Sequence, residues 1–85
     1  MSIRLLYFAR LREDMGMTGE IFEPSAPVAD VKGLRELLIA RGTPWSVAFA
    51  PGKAVRASVN QDIARDQTPV KAGDEIAFFP PVTGG

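Results

Sequence analysis

Along the first stretch of chain, apolar residues fill both registers of an extended segment: Ile3, Leu5 and Tyr7 fall on one face, Leu6 and Phe8 on the other. A strand over residues 3–9 that is apolar on both faces is predicted to be a central strand covered on both sides. Residues 9–15 then place Leu11 and Met15 four apart, with Arg10, Arg12, Glu13 and Asp14 between them and Gly16 immediately after. That spacing predicts a short helical turn closed by a glycine. Residues 18–23 carry Ile21 and Phe22 in a second strand, which runs into the loop Pro24-Ser25-Ala26-Pro27, where two prolines forbid helix.

The strongest helical signal follows. Asp30 can accept hydrogen bonds from the first free amides, and Val31, Leu34, Leu37, Leu38 and Arg41 recur three and four apart on one face before Gly42 and Pro44 end the pattern. Gly33 inside this helix costs about 1 kcal/mol against alanine, so its presence points to close packing. Residues 44–50, with Trp45, Val47 and Phe49, offer too few turns and too little charge for an independent surface helix, and are predicted to lie against the core. Pro51-Gly52 is a turn signal, after which Val55, Ala57 and Val59 alternate with Arg56, Ser58 and Asn60, the period of a strand with one wet face. Residues 70–75 form a turn into a last apolar strand, residues 76–79, which Pro80 and Pro81 terminate because they cannot donate backbone hydrogen bonds. Strand, strand, helix, then further strands implies an α+β fold, a mixed sheet with one main helix packed across one face. The expected division is a domain over residues 1–79 and an extended tail over residues 80–85.

Composition narrows the chemistry. Eighty-five residues suit one domain with a modest core, and 46% apolar against 24% charged residues is an ordinary globular balance. Ten basic residues offset ten acidic ones, so no nucleic-acid partner is expected. The chain has no cysteine and no histidine, which removes thiol nucleophiles, imidazole bases and the common zinc sites; no metal is expected. No apolar run approaches a membrane span and no signal-peptide pattern is present, so the expected setting is cytoplasmic, without a membrane partner.

The tail Pro80-Pro81-Val82-Thr83-Gly84-Gly85 is extended first and slender at its end. Six residues at about 3.3 Å each reach roughly 20 Å from the body. Without a Cβ on the last two residues, the backbone can thread a narrow channel and leave the terminal carboxylate unhindered. A Gly-Gly ending alone is equally what a frayed terminus looks like. Phe79, where strand becomes tail, falls on the opposite face from Phe78 and is expected to be exposed as an anchor for partners. Tyr7, Leu5 and Leu34 read as core. Arg10 and Arg12 read equally as solvated charge or as contacts for acidic groups on a partner. Asp74 and Glu75, adjacent in an extended segment, point to opposite faces; a turn role is favoured over an acid-base dyad.

The segments Leu6-Tyr7-Phe8-Ala9-Arg10-Leu11-Arg12-Glu13, Asp30-Val31-Lys32-Gly33-Leu34-Arg35 and Ala57-Ser58-Val59-Asn60-Gln61, and above all Gly73-Asp74-Glu75-Ile76-Ala77-Phe78-Phe79-Pro80-Pro81-Val82-Thr83-Gly84-Gly85, carry a family resemblance over nearly the whole length. The chain resembles the small, sulfur-carrier subunit of molybdopterin synthase, a ubiquitin-like β-grasp family. The resemblance implies that an activating enzyme, similar to those that start ubiquitin transfer, adenylates the Gly85 carboxylate with ATP. A sulfur donor then converts the acyl-adenylate to a thiocarboxylate (1-thioglycine at Gly85). It further implies that Gly84, Thr83, Val82, Pro81, Pro80 and Phe79 contact the partner's channel and interface. In the large synthase subunit the sulfur attacks a pterin precursor, and two deliveries build one dithiolene. No permanently bound cofactor is implied, and the implied assembly is a heterotetramer of two small and two large subunits. A ubiquitin-like protein modifier, joined through Gly85 to target lysines, would have the same terminus. A carrier for thiamine or tRNA thiolation is a nearer alternative, against which the Phe-Pro-Pro-Val-Thr spacing argues.

Overall fold

A computed structural model describes residues 1–81. The elements in chain order are β1 (Ile3–Tyr7), α1 (Arg10–Met15), β2 (Gly19–Phe22), α2 (Val31–Ala40), α3 (Trp45–Ala48), β3 (Arg56–Val59), β4 (Asp62–Ala64) and β5 (Glu75–Phe79). The strands form one five-stranded mixed sheet in the order β2-β1-β5-β3-β4. β1 pairs antiparallel with β2 and parallel with β5, while β3 pairs antiparallel with both β5 and β4. This is the α+β, β-grasp arrangement expected from the sequence.

The sheet register sorts the side chains. Leu5 pairs with Ile76, Tyr7 with Phe78, Phe78 with Ala57 and Ile76 with Val59, so these residues share one face with Ile3. Together with Val31, Leu34 and Leu38 of α2 they make the core, in which Ile3, Leu5, Val31, Leu34, Leu38, Ile76 and Phe78 are wholly inaccessible to solvent. Each such side chain stabilises the fold by roughly 1.5–3 kcal/mol through transfer from water. Tyr7, Leu5 and Leu34 are core residues, as predicted.

The amides of the first turn of α2, Val31 to Gly33, are all met, and Leu34 begins the intrahelical ladder. The Asp30 carboxylate accepts from Gly33 N at 2.8 Å, the Asp30 carbonyl accepts from Leu34 N, and the carbonyls of Thr68 and Asp66 accept from Val31 N and Lys32 N. A Cβ on Gly33 would lie 3.3 Å from the Asp30 Oδ1 atom, so the glycine makes room for the cap. α1 ends at Gly16 in the left-handed region (φ 72°), with Leu11 and Met15 buried.

Three expectations need correction. β1 is second in the sheet and only one of its faces is covered: Leu6 is half-buried and Phe8 exposed, and the central strand is β5. Residues 44–50 do lie against the core through Ala48 and Phe49, but as the short helix α3, whose turn is closed by Ala48 N and Phe49 N donating to the carbonyls of Pro44 and Trp45. Ser58, expected on a wet face, is buried between neighbouring strands. β4 was not foreseen at all.

Candidate functional site: the open sheet face and the root of the tail

β5 carries the chain to Phe79 between two paired neighbours, so the tail leaves the body from the middle of the sheet. The face away from α2 is uncovered. One register row crosses it through Gly19, Leu6, Ala77, Ser58 and Ile63, a residue from every strand. Beside that row stand Phe79, opposite Arg56, and Phe8, whose amide donates to the Phe78 carbonyl at 3.1 Å. Phe8 is 48% exposed, Ile21 60% and Ile63 71%, which together form an apolar border around the half-buried Leu6 and Phe79. An apolar surface of this kind beside the exit of a presented tail is suited to partner contact.

The turn after Phe8 shapes the exit. Leu11 N donates to the Phe8 carbonyl at 3.1 Å, and Ala9 sits at φ 53°, ψ −129°, the first corner of a type II′ turn, where glycine is the unstrained residue. This bend sets α1 beside the end of β5. Pro80 and Pro81 are half-buried, not exposed as the sequence suggested, and border a groove also lined by Arg10, Leu11, Val47 and Val55. Val82, Thr83, Gly84 and Gly85 lie outside the described residues.

On the covered face, the same edge of the sheet is closed by a polar clasp. The Tyr7 hydroxyl donates to Glu20 Oε2 at 2.8 Å and accepts from Trp45 Nε1 at 3.1 Å. Arg41 donates to both Glu20 oxygens at 3.1 Å, and its guanidinium lies 3.8 Å from the centre of the Trp45 ring. Burial, reinforced by the Glu20 carboxylate and only partly offset by Trp45 and Arg41, pushes the Tyr7 phenol well above its usual pKa.

Phe79 lies on the face opposite the buried Phe78, as alternation required, but it is half-buried and not exposed as expected. Asp74 has the turn role: its Oδ2 accepts from Lys71 N at 2.7 Å and its Oδ1 from Asn60 Nδ2 at 3.0 Å. Arg10 lines the groove at the tail root, and Arg12 is exposed on α1. Sequence reasoning missed Leu6, Phe8 and Ile63 as surface residues of the site. The second apolar face of β1 was the signal for Leu6 and Phe8, and it was read as buried; Ile63 belongs to β4, a strand that the sequence did not announce.

A family model described as the ThiS family matches residues 5–85. The chain belongs to the ThiS family. Among relatives of this ThiS-family chain, the molybdopterin synthase sulfur carrier subunit of Escherichia coli (strain K12) is 41% identical over 83 residues, covering 98% of this chain and 99% of the relative. The crystal structure of SAMP1 from Haloferax volcanii, a small archaeal modifier protein, superposes with a TM-score of 0.75 at 27% identity, covering 100% of both chains. A protein-protein complex of subunits 1 and 2 of molybdopterin-converting factor from Helicobacter pylori 26695 contains a chain matching with a TM-score of 0.66 at 23% identity, again over 100% of both, a likeness of fold. Among the described residues, no helix of this ThiS-family chain is long and apolar enough to cross a membrane.

Proposed function

We propose that this chain is the sulfur carrier of molybdopterin synthase, working in the cytoplasm with the large synthase subunit as its partner. The observation that carries this reading is the near full-length likeness to a molybdopterin synthase sulfur carrier subunit, supported by a ThiS family match that runs through the Gly-Gly end. The geometry supports it: the tail leaves the central strand of the sheet, and exposed apolar residues lie beside the exit for a partner to grip. From Pro81 the four residues 82–85 reach about 13 Å when extended, enough to carry the Gly85 carboxylate into a neighbouring active site.

The working group is the Gly85 carboxylate. An activating enzyme joins it to the α-phosphorus of ATP with loss of pyrophosphate, and the resulting acyl-adenylate gives the acyl carbon a good leaving group. A sulfur donor displaces AMP, leaving a thiocarboxylate, a soft nucleophile that attacks the pterin precursor in the large subunit; water then hydrolyses the acyl C–S bond, leaving the sulfur on the pterin and restoring the carboxylate. Proton transfers around the tail fall to partner residues. The carrier supplies reach, a grip and the sulfur-bearing carbon. The expected assembly is two small and two large subunits.

Intact mass spectrometry after incubation with ATP, a sulfur donor and the activating enzyme from the same source tests the reading. The expected gain equals exchange of one oxygen for sulfur and is lost when Gly85 is deleted. An unchanged mass with a competent activating enzyme sinks it. The likeness to an archaeal modifier protein favours one second reading, attachment of Gly85 to lysines of other proteins. That reading predicts an isopeptide ladder in cell extract and no transfer of sulfur to a pterin.

A further inference from the structure

Charge around the root of the tail is one-sided although the chain as a whole is neutral, with ten basic and ten acidic residues. Pro81 borders a cleft of about 360 Å³ whose other described lining is Arg35, Lys53, Ala54, Val55, Arg56 and Ala64: three cations and no acidic side chain. The groove on the other side of Pro81 adds Arg10 and shares Lys53, with Asp14 its single acid. Lys53 and Arg56 are exposed. Arg35 is held in place, since one of its terminal nitrogens donates to the Val55 carbonyl at 2.8 Å and its guanidinium lies 5.9 Å from the centre of the Phe78 ring. Its Nε is buried and has no hydrogen-bond partner among the described residues. Arg35 fixes the floor of the cleft, and the exposed ammonium of Lys53 and guanidinium of Arg56 at its rim are free to meet acceptor groups from outside.

We propose that this cationic collar receives carboxylates on the rim of the channel through which the activating enzyme takes the tail; the proposal rests on the sulfur-carrier reading. A channel that takes in residues 82–85 brings its mouth against Pro81, and so within reach of Lys53 and Arg56. The occupant is protein and not nucleotide: with the tail extended, the collar stands about 13 Å from the reacting carboxyl. That exceeds the roughly 8–10 Å over which exposed charges act at ordinary ionic strength. Charge at a rim sets encounter rate and orientation more than lasting affinity. Activation is a brief encounter that the carrier must enter and leave, whereas a subunit assembly can be held by the apolar sheet face, so the collar suits the activating enzyme.

The test measures the initial rate of thiocarboxylate formation against carrier concentration at low and high salt, for the wild type, Lys53→Glu, Lys71→Glu and Lys53→Glu/Arg56→Glu. The proposal expects KM of the double variant to rise about tenfold at low salt with kcat within twofold, and expects salt to raise KM of the wild type but not of the variant. Lys71→Glu, at the far end of β5, makes the same charge change as Lys53→Glu alone and should leave KM unchanged. Equal KM for the wild type and the double variant at low salt would overturn the proposal, as would a rise for Lys71→Glu matching that for Lys53→Glu. A wild type that gains no sulfur overturns the carrier reading itself, and this inference with it.

Discussion

On one side of β5, Phe78 is wholly buried among Tyr7, Phe49 and Ala57; on the other, one residue along, Phe79 stands half-buried beside an exposed Phe8. The two faces of one strand thus hold the same side chain in opposite service. The covered face is closed by α2 and by the Tyr7–Glu20–Arg41–Trp45 clasp, so its apolar area is already out of water. The open face keeps its apolar area wet, and that area contributes free energy only when a partner arrives. The open face also carries Arg4, Glu75, Arg56 and Ser58 among its apolar residues, whereas the same three strands turn only Ile3, Leu5, Tyr7, Ile76, Phe78, Ala57 and Val59 towards the core.

Alanine in place of each phenylalanine sharpens the contrast most. Phe78→Ala should destabilise the fold by about 3–5 kcal/mol, read as a lowered midpoint in chemical denaturation. Phe79→Ala should cost far less stability but weaken binding to the large synthase subunit by about 2 kcal/mol, roughly thirty-fold in Kd by titration calorimetry. If both variants lost only stability, the open face would be a second core and the comparison would fail.

The clasp comes next. Tyr7→Phe removes the acceptor of the Trp45 N–H and one donor to Glu20, an expected loss of about 1–2 kcal/mol. It should also change the response to alkali. Below the ordinary tyrosine pKa of about 10 both states keep the phenol proton and the group has no pH effect. Above it the unfolded phenol ionises while the folded one stays neutral, so stability falls as pH rises, by up to about 1.4 kcal/mol per pH unit for this group. Thermal melts between about pH 9 and pH 11 should show that component in the wild type and not in the variant. Tyr7 is the single tyrosine, so phenolate absorbance follows it alone.

The smallest effect lies at the tail exit. Ala9→Gly relieves a positive φ and should raise stability by up to about 1 kcal/mol, the gain being trimmed by glycine's larger unfolded-chain entropy. A matched loss of sulfur loading in that variant would mean the bend itself positions Phe8 and Arg10 for partners.

Much of this was legible in the chain because local chemistry determined it: the Asp30 cap, the Gly16 stop, the α2 stripe and the opposition of Phe78 and Phe79. The β3–β4 hairpin was not. Its two-residue turn puts Asn60 at φ 50° and Gln61 at φ 74°, without the glycine that normally announces such a turn. The clasp joins residues from four elements, and no spacing in the sequence brings Tyr7, Glu20, Arg41 and Trp45 together. The open face was misread for a physical reason: an apolar register on a strand looks the same whether a helix or a visiting protein covers it.

Placing the exit strand at the centre of the sheet also has a mechanical consequence. β5 is bonded on one side to the parallel β1 and on the other to the antiparallel β3. A pull along the tail therefore loads two ladders lengthwise, where an edge strand would have only one to resist it. Any force on the tail is thus shared between β1 and β3 before it reaches the rest of the fold.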